Sequence, residues 1–179
     1  MKKKKTILND QDFKRIITRI AYEIIEVHKG VQNLGLVGIQ TRGDSLAKRL
    51  ADQIQAIEKV IVPVGSMDIN MYRDDWTKIS YQPTVRPSKI PFNVDDKNII
   101  LVDDVLYTGR TIRAAMDALM DFGRPSRIEL AVLVDRGHRE LPIQADYKGI
   151  FVDTEPEDMI HVHAIEHDGE DLVYKEIER

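Results

Sequence analysis

Ile99-Ile100-Leu101-Val102-Asp103-Asp104-Val105-Leu106-Tyr107-Thr108-Gly109-Arg110-Thr111 decides the fold. An apolar run enters two adjacent carboxylates and then Thr-Gly-x-Thr, the pattern of a strand, a phosphate-sized turn and a helix start. The unpaired amides at that helix start, reinforced by the helix dipole, make an anion pocket. Gly109 lets the backbone approach a phosphate, and the Thr108 and Thr111 hydroxyls can donate. Carboxylates repel phosphate, so Asp103 and Asp104 make chemical sense as acceptors from sugar hydroxyls or from water around a metal. The plainer alternative is that they cap the helix and that Thr-Gly is a simple turn.

Outward from this stretch, apolar runs alternate with helical periodicity. Asn9 or Asp10 can cap a helix carrying Phe13, Ile16, Ile17, Ile20, Ala21, Ile24 and Ile25 on one face, with Gly30 placed to end it. Residues 34–39 read as a buried strand and 44–57 as a helix. A strand is expected at 60–64, continuing through 68–72. Residues 98–102 form the next strand, 103–110 a loop and 111–122 a helix ended by Gly123 and Pro125. Another strand spans 127–134, and short strands after Tyr147 close in a hairpin at Asp168-Gly169. Strands apolar throughout are buried on both faces, and helices between them make a parallel sheet with right-handed crossovers. In such open α/β sheets ligands bind beyond the strands' carboxyl ends, which points to the polar loops 40–44, 103–110 and 135–140.

Composition narrows the function. The 179 residues contain no cysteine, which removes disulfides, thiolate metal sites and cysteine nucleophiles. The net charge of −4 is uneven: residues 1–139 balance at +5 and residues 140–179 at −9. The first part can meet an anion, and the acidic remainder reads as a solvated face. The longest apolar runs, 34–39 and 130–134, fall short of the roughly 18 residues of a membrane span. Lys2–Lys5 is followed by Asn9, Asp10 and Gln11 instead of an apolar segment, so it reads as a frayed terminus of a cytoplasmic protein. No Walker lysine motif and no Gly-x-Gly-x-x-Gly occurs, so ATP and dinucleotides lack their phosphate grip. A receiver-type signalling domain also has an acid pair after a strand, but early in the chain and without Thr-Gly-x-Thr.

VDDVLYTGRT at 102–111 resembles the phosphoribosyl-pyrophosphate (PRPP) signature of type I phosphoribosyltransferases. With VGIQTRG at 37–43, DINMYRDD at 68–75 and VDRGHRELP at 134–142, it is similar to the PyrR family of pyrimidine-operon attenuation regulators that are also uracil phosphoribosyltransferases. The resemblance implies one phosphoribosyltransferase domain over 1–179, a mostly parallel open sheet flanked by helices with a small hood. It implies the reaction of uracil with PRPP to give UMP and pyrophosphate, with Mg2+ bound with PRPP and possibly touching Asp103 and Asp104.

On this resemblance Asp103, Asp104 and Arg42 are the catalytic residues, and Thr41, Arg42 and Gly43 form the pyrophosphate loop. Val105, Leu106, Tyr107, Thr108, Gly109, Arg110 and Thr111 hold the 5′-phosphate. Tyr72 and Arg73 belong to a lid spanning 72–91, where Trp76 and Tyr81 could stack on a base. Val134, Asp135 and Arg136 face the base, which their backbone groups would read. Thr18, Arg19, His138 and Arg139 correspond to leader-RNA contacts. Two positions depart from that RNA pattern: Tyr22 replaces a usual histidine, and 150–158 is acidic where relatives are basic. A homodimer or tetramer is implied. The alternative is a UMP-sensing, RNA-binding regulator with little catalysis. His161, His163 and His167 suggest a metal by spacing but read as ordinary surface histidines.

Overall fold

The computed structural model describes residues 3–74 and 87–177. Five parallel strands form the main sheet in the order β3-β2-β4-β5-β6: β2 (Leu34–Ile39), β3 (Val64–Met67), β4 (Asn98–Leu106), β5 (Arg127–Asp135) and β6 (Tyr147–Phe151). Helices α1 (Asp10–His28) and α2 (Arg42–Glu58) cover one face and α3 (Arg110–Met120) the other. Alternation along the strands explains the two cores. Leu36, Ile100, Val102, Ala131 and Leu133 pack with Phe13, Ile17, Ile20, Leu46, Leu50 and Ile54. Their neighbours Val37, Ile39, Ile99, Leu101, Leu130 and Val132 pack with Ile112, Ala115, Ala118 and Leu119. A strand buried on both faces therefore needs a largely apolar run, which is why residues 34–39 and, from Leu130 on, 127–134 were legible as strands.

A second, antiparallel sheet of β1 (Lys3–Leu8), β8 (Leu172–Ile177) and β7 (Met159–His163) forms the hood, in the order β1-β8-β7. The lysine run is thus part of a paired strand and not a frayed end: Lys3, Lys4 and Lys5 face Ile177, Glu176 and Lys175. The β7–β8 hairpin exists, but a helical turn α4 (Ile165–Asp168) joins its strands, and Gly169 at φ 80° ends that turn. Asn9 caps α1 by accepting the Asp12 N–H at 2.9 Å.

Two further expectations need correction. The third strand is Val64–Met67, because Pro63 precedes it and Asp68 then accepts the Asn70 N–H (2.9 Å) to start a 3-10 turn at Asn70–Tyr72. Strand β4 does not stop at Val102 but runs to Leu106, pairing Asp103 with Val132 and Leu106 with Asp135. The acid pair is therefore held by a sheet ladder and not by a loop. The helices begin one or two residues earlier than expected, α2 at Arg42 and α3 at Arg110.

Candidate active site

The carboxyl ends of β2, β4 and β5 bring three loops together. At the first, the Gln40–Thr41 peptide is cis and α2 starts at Arg42. Gly43 lies so close to β4 that a Cβ there would sit 2.4 Å from the Val102 carbonyl oxygen. Only a residue without a side chain lets α2 start directly over the acid pair. At the second, Gly109 adopts φ 91° before α3, a conformation that favours glycine, and no side chain caps that helix. Arg73, Glu140 and residues 105–112 line a cleft of about 330 Å³ at this point.

The loop after β5 braces residues 107–108 from behind. Arg139 donates to the Tyr107 carbonyl at 2.8 Å, and the Glu140 and Leu141 amides donate to the Thr108 carbonyl at 3.0 and 3.3 Å. The carbonyls that would repel an anion are thereby engaged, which favours the loop's N–H groups as anion ligands. The Thr108 hydroxyl accepts the Arg110 N–H at 3.3 Å, and its own hydrogen remains to donate.

Asp103 is buried, and its Oδ1 accepts the Asp104 N–H at 2.9 Å; Asp104 Oδ1 accepts the Val105 N–H at 2.8 Å. Burial, and then the neighbouring Asp104 charge, push the Asp103 carboxyl well above the usual carboxylate range. Burial also raises Asp104, opposed by its amide hydrogen bond and by the positive charge of Arg42.

Several expected residues have partners the sequence did not reveal. Arg42 donates Nε and Nη2 to the two oxygens of Asp168 at 3.0 and 2.8 Å. This lowers the Asp168 carboxyl to about 2. Arg110 bonds Glu140 at 2.6 Å and Asp74 at 2.5 Å, so its side chain ties two loops while its backbone lines the cleft. Arg73 lines the cleft beside residues 105–112, whereas Tyr72 donates its hydroxyl to Asp121 at the far end of α3. Residues 75–86 of the expected lid, including Trp76 and Tyr81, lie outside the described residues, and its end is pinned where Lys89 bridges to Ser66.

At the expected base loop Val134 is fully buried, and Asp135 accepts from the Gly137 N–H (3.0 Å) and from Arg139 (2.6 Å). Backbone groups assigned to base reading are already bonded: the Arg136 N–H to Leu106, its carbonyl to Thr154, and the Asp135 carbonyl to Val152. The Arg136 guanidinium lies 4.0 Å from the Tyr107 ring centroid.

Arg139 is thus a clamp on Asp135 and on the Tyr107, Gly137 and Ile143 carbonyls. His138 bonds the Thr154 carbonyl at 2.7 Å, and Arg19 bonds Glu23 and the Lys148 and Gly149 carbonyls. Thr18 contacts Gln53 at 3.4 Å. The histidines of the hood have partners too: His161 stacks on Tyr174, and His163 meets Glu170 at 3.0 Å. Among the described residues no cluster of three or more His, Asp or Glu is placed to hold a metal. None of their helices is long and apolar enough to cross a membrane.

Part of the acidic last quarter is counter-charge held within the fold, while Glu140, Asp146, Asp153, Glu155, Glu157, Glu166 and Glu170 are exposed as a solvated face. Asp168 meets Arg42, Glu166 and Asp171 meet Arg49, and buried Asp158 meets Lys175 at 2.9 Å. The one signal in the sequence was this opposition of a basic first part and an acidic end.

Comparisons with known proteins agree with this geometry. The sequence pattern of the phosphoribosyl transferase domain matches residues 3–168. A "Bifunctional protein PyrR" of Alkaliphilus metalliredigens is 57% identical over 98% of this chain and 97% of its own. Those of Desulfosudis oleivorans and Deinococcus radiodurans are 55% and 54% identical, covering 97% and 95% of this chain and 96% and 93% of their own. A hypoxanthine-guanine phosphoribosyltransferase crystal structure from Bacillus anthracis superposes with a TM-score of 0.71 at 17% identity, over 96% of this chain and 97% of that one. That likeness shows the fold alone. Taken with the relatives of more than half identical sequence, it places the chain in the PyrR family of the phosphoribosyltransferases.

Proposed function

We propose that this chain transfers the phosphoribosyl group of PRPP to uracil, releasing UMP and pyrophosphate, and also regulates pyrimidine operon expression. The observation that carries the transferase reading is the convergence, at the end of β4, of an acid pair, an uncapped α3 start and the Arg42 loop. Glycosidic displacement separates a polyanionic pyrophosphate from C1 while positive charge builds on the ribose ring. Catalysis is then mainly positioning and stabilisation of the departing anion.

Amides of residues 108–111 grip the 5′-phosphate, and Asp103 and Asp104 accept from the 2′- and 3′-hydroxyls. Arg42 faces the leaving pyrophosphate. Uracil lies against 134–136, where carbonyls already bonded once keep a second lone pair. The donor set fits Mg2+: two carboxylates and no closed cage suit an ion that keeps waters and binds through substrate phosphates. Asp103 and Asp104 would hold it, and when bound it supplies charge neutralisation to pyrophosphate.

Incubation with PRPP, Mg2+ and each nucleobase tests this. UMP from uracil alone supports it, and no nucleotide from any base would leave a UMP-sensing regulator. For the regulatory activity, Lys14, Arg15 and Arg19 are exposed on α1 beside Tyr22, each paired with a carboxylate (Asp10, Asp12 and Glu23) that an RNA phosphate would have to displace. Because Asp158 is buried against Lys175, the 153–158 stretch presents less negative charge to an RNA than its composition suggests. Binding to pyrimidine-operon leader RNA should weaken linearly in log–log salt titration, and absence of binding at low salt would exclude it. The working assembly is a homodimer or tetramer of a cytoplasmic protein, to be read by sedimentation.

A further inference from the structure

We infer that Asp168, in the hood, is a positioning residue that sets the Arg42 guanidinium for the leaving pyrophosphate; this rests on the reading of Arg42 given above. The two residues lie 126 positions apart, and both Asp168 oxygens are engaged, one with Nε and one with Nη2 of Arg42. A bidentate pair fixes the plane of the guanidinium as well as its place. Arg42 has five N–H groups, so the Nη1 pair and one Nη2 hydrogen remain for an anion. The Arg42 side chain is one-third exposed, as a substrate-facing group needs to be.

Asp168 is itself anchored. Its Oδ2 also accepts the Ala164 N–H at 2.9 Å. Arg49, one helical face further along α2, holds the same turn through Glu166 (2.5 and 2.7 Å) and Asp171 (2.8 and 2.9 Å). Ser45 meets His167 at 2.8 Å. Three residues of α2 therefore grip the hood turn, and the turn returns one carboxylate to the first residue of the helix. So much anchoring exceeds what a single half-buried ion pair at the edge of the hood needs for stability. It is what a preorganised anion site requires, where a displacement of about 1 Å costs about a hundredfold.

The test compares Mg–PRPP, which carries the pyrophosphate, with UMP, which lacks it, by titration calorimetry and does not require turnover. Asp168→Ala should weaken Mg–PRPP binding about tenfold, by loss of a charge-assisted pair, and leave UMP within twofold. Asp168→Glu should restore most of the loss. The double variant Arg42→Ala/Asp168→Ala should bind Mg–PRPP no more weakly than Arg42→Ala, because residues acting as one unit are not additive. Melting curves accompany each variant, and the near-isosteric Asp168→Asn serves if the alanine variant does not fold. Unchanged or tighter Mg–PRPP binding in Asp168→Ala, or additive losses in the double variant, would overturn the inference. An Arg42→Ala protein that binds Mg–PRPP normally would instead overturn the reading of Arg42 itself.

Discussion

Gly43→Ala is the sharpest perturbation the site offers. Gly43 is in the first turn of α2, where an added methyl would be welcome on propensity grounds, by about 1 kcal/mol. Its Cβ, however, would meet the Val102 carbonyl oxygen at 2.4 Å, with Asp103 Cα at 3.3 Å. The neighbour is backbone in the middle of a five-stranded sheet and cannot rotate away. Relief to 3.0 Å, the lower limit for real Cβ contacts, requires α2 to move by about 0.6 Å. Overpacking of this kind costs about 1–3 kcal/mol, so after the propensity gain the net loss is at most about 2 kcal/mol. For a chain of this length that lowers Tm by about 8 °C or less.

Activity should suffer more than stability. The displaced element carries Arg42, and a shift of this size relative to Asp103 and Asp104 predicts a loss of about ten- to a hundredfold in kcat/KM for PRPP. The assay is UMP formation under varied PRPP, beside a thermal melt. Gly35→Ala is the control: its Cβ would meet Phe92 at 2.8 Å, a side chain that can turn, on a strand segment away from the three loops. If Gly43→Ala retains wild-type kcat/KM while folded, the close seating of α2 on β4 is not what aligns the site.

Three other expectations follow from buried groups. Because the folded protein raises the Asp103 carboxyl, it binds a proton that the unfolded chain releases near pH 4, so stability from this group declines as pH rises through the folded value. Asp103→Asn should therefore melt at a higher temperature than the parent near pH 7 and flatten that part of the Tm–pH curve, while losing transferase activity. Tyr147→Phe removes the hydroxyl that donates to buried Glu129 at 2.9 Å and should cost about 1–3 kcal/mol in denaturant melts, leaving PRPP binding unchanged. Arg139→Ala should lower Tm and PRPP affinity as well as any RNA affinity, because it releases Asp135 and the Tyr107 carbonyl. Loss of RNA binding alone would contradict the clamp.

The sheet and the turn into α3 were legible because their causes are local. Apolar runs need only two covered faces, and Thr-Gly-x-Thr at a helix start needs only its own backbone to make an anion pocket. Strand β4 was read short because Asp103 and Asp104 look like loop residues; the ladder to Val132–Asp135 overrides that preference. The lysine run was misjudged because its partner strand is more than 160 residues away.

The amino-acid order by itself determined the α/β class and the family resemblance, and it singled out the 102–111 turn as the place to look for the site. It also contained the charge asymmetry between the basic first part and the acidic end, but not its meaning. Only the tertiary structure decided which charges meet. Asp168 reaches Arg42, Arg139 locks Asp135, and Glu140 holds Arg110, across separations of 126, 4 and 30 residues. The partner of a distant pair depends on where whole elements pack, so Glu166, Asp168 and Asp171 read as acidic surface until the fold turns them against α2.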